Sequence, residues 1–343
     1  MDFTLKTFES LLNTLSNQGF SFLTFEDLDS NPSDKTIILR NDVDQLPENS
    51  LVFSRIQKGL GIKGSFYFRA VPGSWDERII KQIAETGHEV GYHYEDVGAT
   101  AQRHKGITAE EEIVKIAIES FRGNLEKLRK IVPVKTICMH GSPMSRWDSR
   151  LLWKYYDYHD FGIEGEPYFD VNFEDMLYLT DTGRRWNGSA VSVRDKAKNA
   201  EKGGVLLRHG YEGRGGGSSY GKTSEDGEAS FAKATEDGDK DPPTLKLWRT
   251  RGGRYEPYHD WVRKPIEGSL MNMTDKAIEF QSRYNFRTTN DIIRAAGRGE
   301  LPDRIMMTFH PQRWTDKPVP WLKELVIQNT KNVIKYFIIK LSQ

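Results

Sequence analysis

The sequence has few of the features that mark secreted, membrane-spanning or nucleic-acid-binding proteins. Its 343 residues include one cysteine, Cys138, which excludes an intrachain disulfide and fits a reducing compartment. No stretch reaches the ~18 consecutive apolar residues of a membrane span, and the N-terminus lacks the basic and apolar regions of a signal peptide. Basic and acidic residues number 49 each, so the basic excess of a nucleic-acid binder is missing. We therefore expect a cytoplasmic protein with no membrane span and no nucleic-acid partner.

Short apolar runs alternate with amphipathic segments along most of the chain. The runs predict buried strands at residues 36–40, 65–69, 89–92, 134–139 and 304–309. Helical periodicity predicts helices that begin near residues 5, 47, 79, 108, 291 and 320, with Asn290 as the N-cap of the fifth. Strands that alternate with helices in this way imply an α/β fold with a parallel sheet. The chain length and the number of units favour a (β/α) barrel over an open sheet.

Residues 213–243 depart from this pattern. They are rich in Gly, Ser, Asp, Glu and Lys and contain little that a core would bury. We therefore predict a flexible, low-complexity surface segment there.

Polar side chains follow the predicted strands at the ends where a barrel carries its active site. The side chains in these positions are Arg40, Asp42, Asp44, Arg69, His93, His140 and His310. Because the carboxyl ends of barrel strands meet at one face, we expect these groups to lie together. Asp and His are ligands for zinc and similar divalent ions, which lower the pKa of a water molecule towards ~7. A carboxylate outside the metal shell can accept a proton, and a histidine can donate one. The set therefore predicts metal-assisted hydrolysis.

The same residues resemble the motifs of the polysaccharide deacetylase family, also known as the NodB-homology domain. That family has a carboxylate pair after its first strand, where this chain has Asp42 and Asp44 in the Asp-x-Asp spacing of a divergent branch. Its Gly-His-Glu-Ile-Gly motif leads to a metal histidine, and residues 87–93 read GHEVGYH. Its last motif is a histidine after the final strand, where His310 stands. The resemblance implies a distorted (β/α) barrel that removes acetyl groups from N-acetylated sugars. It also implies one divalent metal ion as cofactor, with zinc as the first expectation.

The resemblance also implies a role for each residue. Asp44 and His93 are expected metal ligands, Asp42 the expected general base and His310 the expected general acid. Which aspartate is base and which is ligand stays open at this point. Six further residues are expected to line the sugar site: Arg40, Arg69, Tyr92, Glu95, Arg313 and Trp314. The domain prediction is a single barrel over residues 1–343, with an insertion at 200–284 that includes the low-complexity segment.

One position departs from the family pattern. Val97 stands where the family has a second metal histidine, and valine cannot bind a metal. We expect His140 to replace that ligand because it ends a neighbouring strand, with Glu95 or Asp96 as alternatives. If none does, the chain is a carbohydrate-binding barrel without a metal. A metal hydrolase of another amide or of a glycosidic bond is a further alternative.

Overall fold

The described part of the chain folds around a curled, fully parallel sheet. The computed structural model describes residues 1–28, 34–141, 145, 147–186 and 274–341. Within these ranges the strands are β1 (Ser21–Leu23), β2 (Thr36–Val43), β3 (Ser65–Phe68), β4 (Glu89–Tyr94), β5 (Ile137–Met139), β6 (Leu177–Thr180) and β7 (Arg304–Phe309). They form a seven-stranded sheet in the order β5-β4-β3-β2-β7-β6, with β1 beside the start of β2. The sheet curls into a half-barrel, which agrees with the predicted (β/α) class.

The helices connect successive strands and cover the sheet. They are α1 (Leu5–Asn17), α2 (Pro47–Gly59), α3 (Glu77–Glu85), α4 (Asp96–Arg103), α5 (Glu110–Arg129), α6 (Leu152–Tyr155), α7 (Pro167–Asp170), α8 (Asp275–Ser282), α9 (Thr289–Gly297) and α10 (Pro318–Leu341). α3 is an amphipathic helix, in which Ile79, Ile80 and Ile83 form one fully buried face. Its N-cap, Asp76, accepts a hydrogen bond from the Ile79 amide. None of the described helices is long and apolar enough to cross a membrane.

Most predicted elements are present, with some differences. The chain also forms β1, β6, α4, α6, α7 and α8, which the periodicity did not predict. The expected N-cap of α9, Asn290, is wrong. Thr288 caps that helix, because its hydroxyl accepts from the Asp291 amide while the Asp291 carboxylate accepts from the Thr288 amide.

The predicted insertion lies mostly outside the described residues, and so does the whole low-complexity segment. The described end of that range forms α8. There the Gln281 side chain accepts from the Tyr178 amide of β6 and donates to the Met176 carbonyl. Residues 275–282 therefore belong to the packed body of the fold.

Alternation along β2 decides which side chains reach the concave side of the sheet. Neighbouring residues in a strand face opposite ways. Asn41 faces outward, where its carbonyl accepts a hydrogen bond from Gln57 of α2 at 3.1 Å. Arg40 and Asp42 therefore share the inner face, and Asp42 lies at the carboxyl end of the sheet.

Candidate active site

A buried ion pair holds Asp42 at the end of β2. The Nε and Nη2 atoms of Arg40 donate to the two oxygens of Asp42 at 2.7 and 2.6 Å. Burial alone would raise the pKa of Asp42, but the charge and the hydrogen bonds of Arg40 hold it below its usual value. Both oxygens of Asp42 are thus engaged by one guanidinium, and the carboxylate is ionised at neutral pH.

Asp44 has one oxygen engaged and one free of protein donors. Its Oδ2 atom accepts from Gln312 Nε2 at 3.1 Å. Its Oδ1 atom is buried and has no hydrogen-bond partner among the described residues. Burial opposes ionisation of Asp44, yet the imidazoles of His140 and His310 help keep its pKa well below the usual range. A buried anionic oxygen without a donor requires a cation or an outside donor to offset its desolvation.

Two imidazole nitrogens face that oxygen. His93 Nδ1 donates to the Cys138 carbonyl at 2.8 Å, which leaves the His93 Nε2 lone pair 3.6 Å from Asp44 Oδ1. His140 Nε2 lies 3.4 Å from the same oxygen, and the two rings stand 5.1 Å apart at 86°. Burial lowers the pKa of His93 to about 4, so its ring is neutral at physiological pH. Neutral imidazole is the form that binds metals.

The donor set fits a divalent cation. One donor atom each from Asp44, His93 and His140 lies within 4.8 Å of the others. Asp42, His93 and Cys138 form a second group of this kind, but both oxygens of Asp42 are already bonded to Arg40. The first set therefore fits better. Three ligands of the His and carboxylate type, with room for another, are the usual donors of a catalytic zinc site.

Glu95 and Arg69 support these donors from behind. Glu95 Oε2 lies 3.1 Å from His140 Nδ1, a charge contact that lacks the alignment of a hydrogen bond, while His140 Nε2 faces Asp44. Arg69 binds both oxygens of Glu95 and also donates to the Asp44 backbone carbonyl at 3.2 Å. Burial opposes ionisation, but His140 and Arg69 lower the pKa of Glu95 to about 2. A carboxylate behind a metal histidine fixes its orientation and raises its basicity.

His310 is held by a carboxylate that sequence reasoning missed. Asp181 follows β6, is fully buried, and accepts from both the backbone amide and Nδ1 of His310. His310 Nε2 then faces the cluster, 4.0 Å from Asp42 Oδ2 and 3.8 Å from Asp44 Oδ2. The rule that identified the other residues applies here too, because Asp181 ends a short apolar run, Leu177–Thr180.

Three residues of the predicted sugar site lie elsewhere. Tyr92 faces away from the cluster because it alternates with His93 along β4, and its hydroxyl donates to Asp96 at 2.7 Å. Arg313 donates to Asp181 at 3.0 Å. Trp314 packs in an aromatic core and donates from Nε1 to Asp181 at 2.6 Å. Arg313 and Trp314 therefore help to hold Asp181, the carboxylate that orients His310.

The contacts of His140, Glu95 and Asp96 show which of them can replace the metal ligand expected at position 97. Val97 is fully buried in α4 and contributes to the hydrophobic core. Asp96 is engaged away from the cluster, where it accepts from Ser120 and Asn124 at 2.9 Å. Glu95 is held by Arg69 behind His140. Among the described residues, His140 is the one of these that brings a donor atom to Asp44 Oδ1.

Comparison with known proteins gives little beyond these contacts. No family model matches the chain, and no curated protein matches it. One solved structure that matches is Streptococcus pyogenes deacetylase PplD in complex with acetate, with 16% sequence identity and a TM-score of 0.30. The match covers 39% of this chain and 61% of that structure, less than two thirds of its length. A TM-score of this size carries no argument about the function of this chain.

Proposed function

We propose that the protein is a metal-dependent hydrolase that removes the acetyl group from an N-acetylated sugar. The observation that carries the proposal is the unpartnered Oδ1 atom of Asp44, which faces the Nε2 atoms of His93 and His140. A purely structural cluster would pair this buried anionic oxygen with a protein donor. The acetamido sugar and the choice of zinc rest on the motif resemblance.

Asp44, His93 and His140 would hold the metal. When bound there, a divalent ion polarises an acyl carbonyl and lowers the pKa of water. The neutral state of His93 and the ionised state of Asp44 already match what metal ligation requires. Glu95 and Arg69 keep His140 and the Asp44 backbone in place.

Asp42 is the proposed general base. Its pairing with Arg40 keeps the carboxylate ionised and fixes its direction, with Oδ2 3.6 Å from His93 Nε2 and 4.0 Å from His310 Nε2. Asp42 accepts a proton from the water that attacks the acyl carbon. The ion pair also weakens Asp42 as a metal ligand, which supports assigning that role to Asp44.

His310 is the proposed general acid. Asp181 accepts a hydrogen bond from Nδ1 of the ring and so turns Nε2 towards the cluster, as a carboxylate does for a catalytic histidine. To act as the acid, the ring carries a second proton on Nε2. The Nε2 atom then donates its proton to the amide nitrogen as the carbon–nitrogen bond breaks. The hydroxide of the water ends on the acyl carbon and the nitrogen gains the proton of His310, so the products are acetate and an amino sugar. Return of the proton from Asp42 to His310, 4.0 Å apart, resets the site.

The test pairs Asp42→Asn with Asp44→Asn. We expect elemental analysis to find about one zinc per wild-type chain and per Asp42→Asn chain, and little in Asp44→Asn. Acetate release from N-acetylated sugars should be lost in both variants. Loss of metal from Asp42→Asn alone would reverse the two roles. Metal-loaded protein that releases no acetate from any N-acetylated sugar would contradict deacetylation.

A further inference from the structure

Gln312 contacts the cluster and was not among the predicted site residues. It lies in the turn Pro311–Arg313 directly after His310 and is 6% exposed. The turn is held on two sides, because Asn49 of α2 donates to the Pro311 carbonyl at 3.3 Å and the Trp314 amide donates to the same oxygen at 3.1 Å. The Gln312 side chain is therefore placed by a rigid segment.

Its amide has only one orientation that satisfies Asp44. A carboxylate oxygen only accepts, so the atom 3.1 Å from Asp44 Oδ2 must be the donating Nε2. The carbonyl Oε1 consequently points elsewhere, and it is buried without a hydrogen-bond partner among the described residues. Buried acceptors in proteins are nearly always satisfied, by a ligand or a water where the protein offers no donor.

The Gln312 side chain lies beside the group that would protonate the leaving nitrogen. Asp44 Oδ2 is 3.1 Å from Gln312 Nε2 and 3.8 Å from His310 Nε2. The Gln312 amide and the His310 imidazole thus approach one oxygen atom. A substrate nitrogen within reach of His310 therefore lies near the Gln312 side chain as well.

We propose that Gln312 Oε1 accepts the N–H of the substrate's acetamido group, and that the site thereby selects N-acyl over O-acyl sugars. This rests on the proposed function, which it deepens by naming the class of acyl bond. An ester has no N–H, so it would leave the acceptor unpaired in the complex. Sites built to bond a substrate N–H discriminate against analogues that lack it, because the buried polar group is then left without a partner.

The experiment compares metal-loaded wild type with Gln312→Met, a change that keeps the length of the side chain and removes its hydrogen bonds. The probes are methyl 2-acetamido-2-deoxyglucoside and methyl 2-O-acetylglucoside, with affinity measured by calorimetry and acetate release measured in the same samples. We expect the amide-to-ester ratio of affinities, and of kcat/KM, to fall about tenfold or more in the variant. Loss of the Asp44 contact affects both probes alike, so the ratio isolates the Oε1 acceptor.

Gln328→Met is the control. Gln328 lies in α10, where its amide bonds to Glu324 at 2.6 Å, and its replacement should leave the ratio unchanged. An unchanged ratio in Gln312→Met, with metal content retained, would overturn the proposal. An amide preference that binding shows in wild type and loses in the variant would support it even without acetate release. That last result would contradict the proposed hydrolysis and not the role of Gln312.

Discussion

The Nδ1 atom of His310 lies 2.5 Å from Oδ1 of Asp181, a residue 129 positions earlier in the chain. The same carboxylate accepts from the His310 amide and from the side chains of Arg313 and Trp314. Burial would raise the pKa of Asp181, but His310 and Arg313 lower it. Asp181 is thus a buried anion whose carboxylate bonds to His310, Arg313 and Trp314. The direction of His310 Nε2 therefore depends on Asp181.

The first prediction concerns this pair. Asp181→Asn should lower kcat and kcat/KM for acetate release by about 100-fold or more, because the amide no longer stabilises the imidazolium or enforces its tautomer. KM and zinc content should change little, since the ligands are untouched. Asp175→Asn is a matched control, because Asp175 is half exposed and pairs with Arg304 on the surface. Normal kcat in Asp181→Asn would exclude His310 as the acid.

The second prediction concerns the carboxylate behind His140. Glu95→Gln should weaken zinc affinity about 10- to 100-fold, because the neutral amide orients and polarises the imidazole less strongly. Competition with a chelator measures the affinity, and circular dichroism checks that the variant is folded. Glu119→Gln, on an exposed face of α5, should have no effect. Equal affinities for Glu95→Gln and wild type would show that Glu95 does not support the metal.

The third prediction concerns Gly91, the second glycine of the motif at residues 87–93, and the lack of space for a side chain there. A Cβ at Gly91 would overlap the Tyr67 ring and lie 2.8 Å from the Thr136 carbonyl. Gly91→Ala should therefore destabilise the protein by about 1–3 kcal/mol in urea unfolding. Gly123→Ala is the matched change, since Gly123 lies in α5 with open space around it, and it should stabilise by about 0.5–1 kcal/mol. Equal effects at both positions would contradict the packing argument.

The fourth prediction concerns pH and His88, which lies outside the cluster. Its Nε2 donates to the Ser54 carbonyl at 2.9 Å and its Nδ1 accepts from the Gly64 amide at 3.2 Å. Burial lowers its pKa in the folded protein. The unfolded state therefore takes up the proton first, so stability is full above about pH 6.5 and falls as the pH drops below that value.

His88→Gln should lose stability at pH 8, because the two hydrogen bonds are disturbed, yet show a smaller further loss as the pH is lowered to about 5. Urea unfolding at several pH values measures both effects. His104→Gln, at an exposed position, should follow the wild-type pH dependence. A difference between wild type and His88→Gln that is constant with pH would contradict the linkage.

Local patterns predicted five of the seven described strands and missed several short helices and strands. The five predicted strands are present because buried parallel strands are continuous apolar runs, which stand out in a sequence. β1 and β6 span three and four residues and were missed. Length alone does not explain this, because β5 and β3 are equally short and were predicted. α4 was missed because its sequence, DVGATAQR, has no clear apolar stripe.

The sequence by itself determined which residues end the strands, and hence that Asp42, Asp44, His93, His140 and His310 would share one face. The alternating apolar runs show where the strands lie along the chain, and the carboxyl ends of parallel barrel strands meet at one face.

Only the tertiary structure decided what each side chain does there. Arg40 and not Arg69 pairs with Asp42, Glu95 lies behind His140, and Asp181 reaches His310 because β6 lies beside β7. Such pairings depend on side-chain direction and on which distant strands are neighbours, and neither property is encoded in the local spacing of residues.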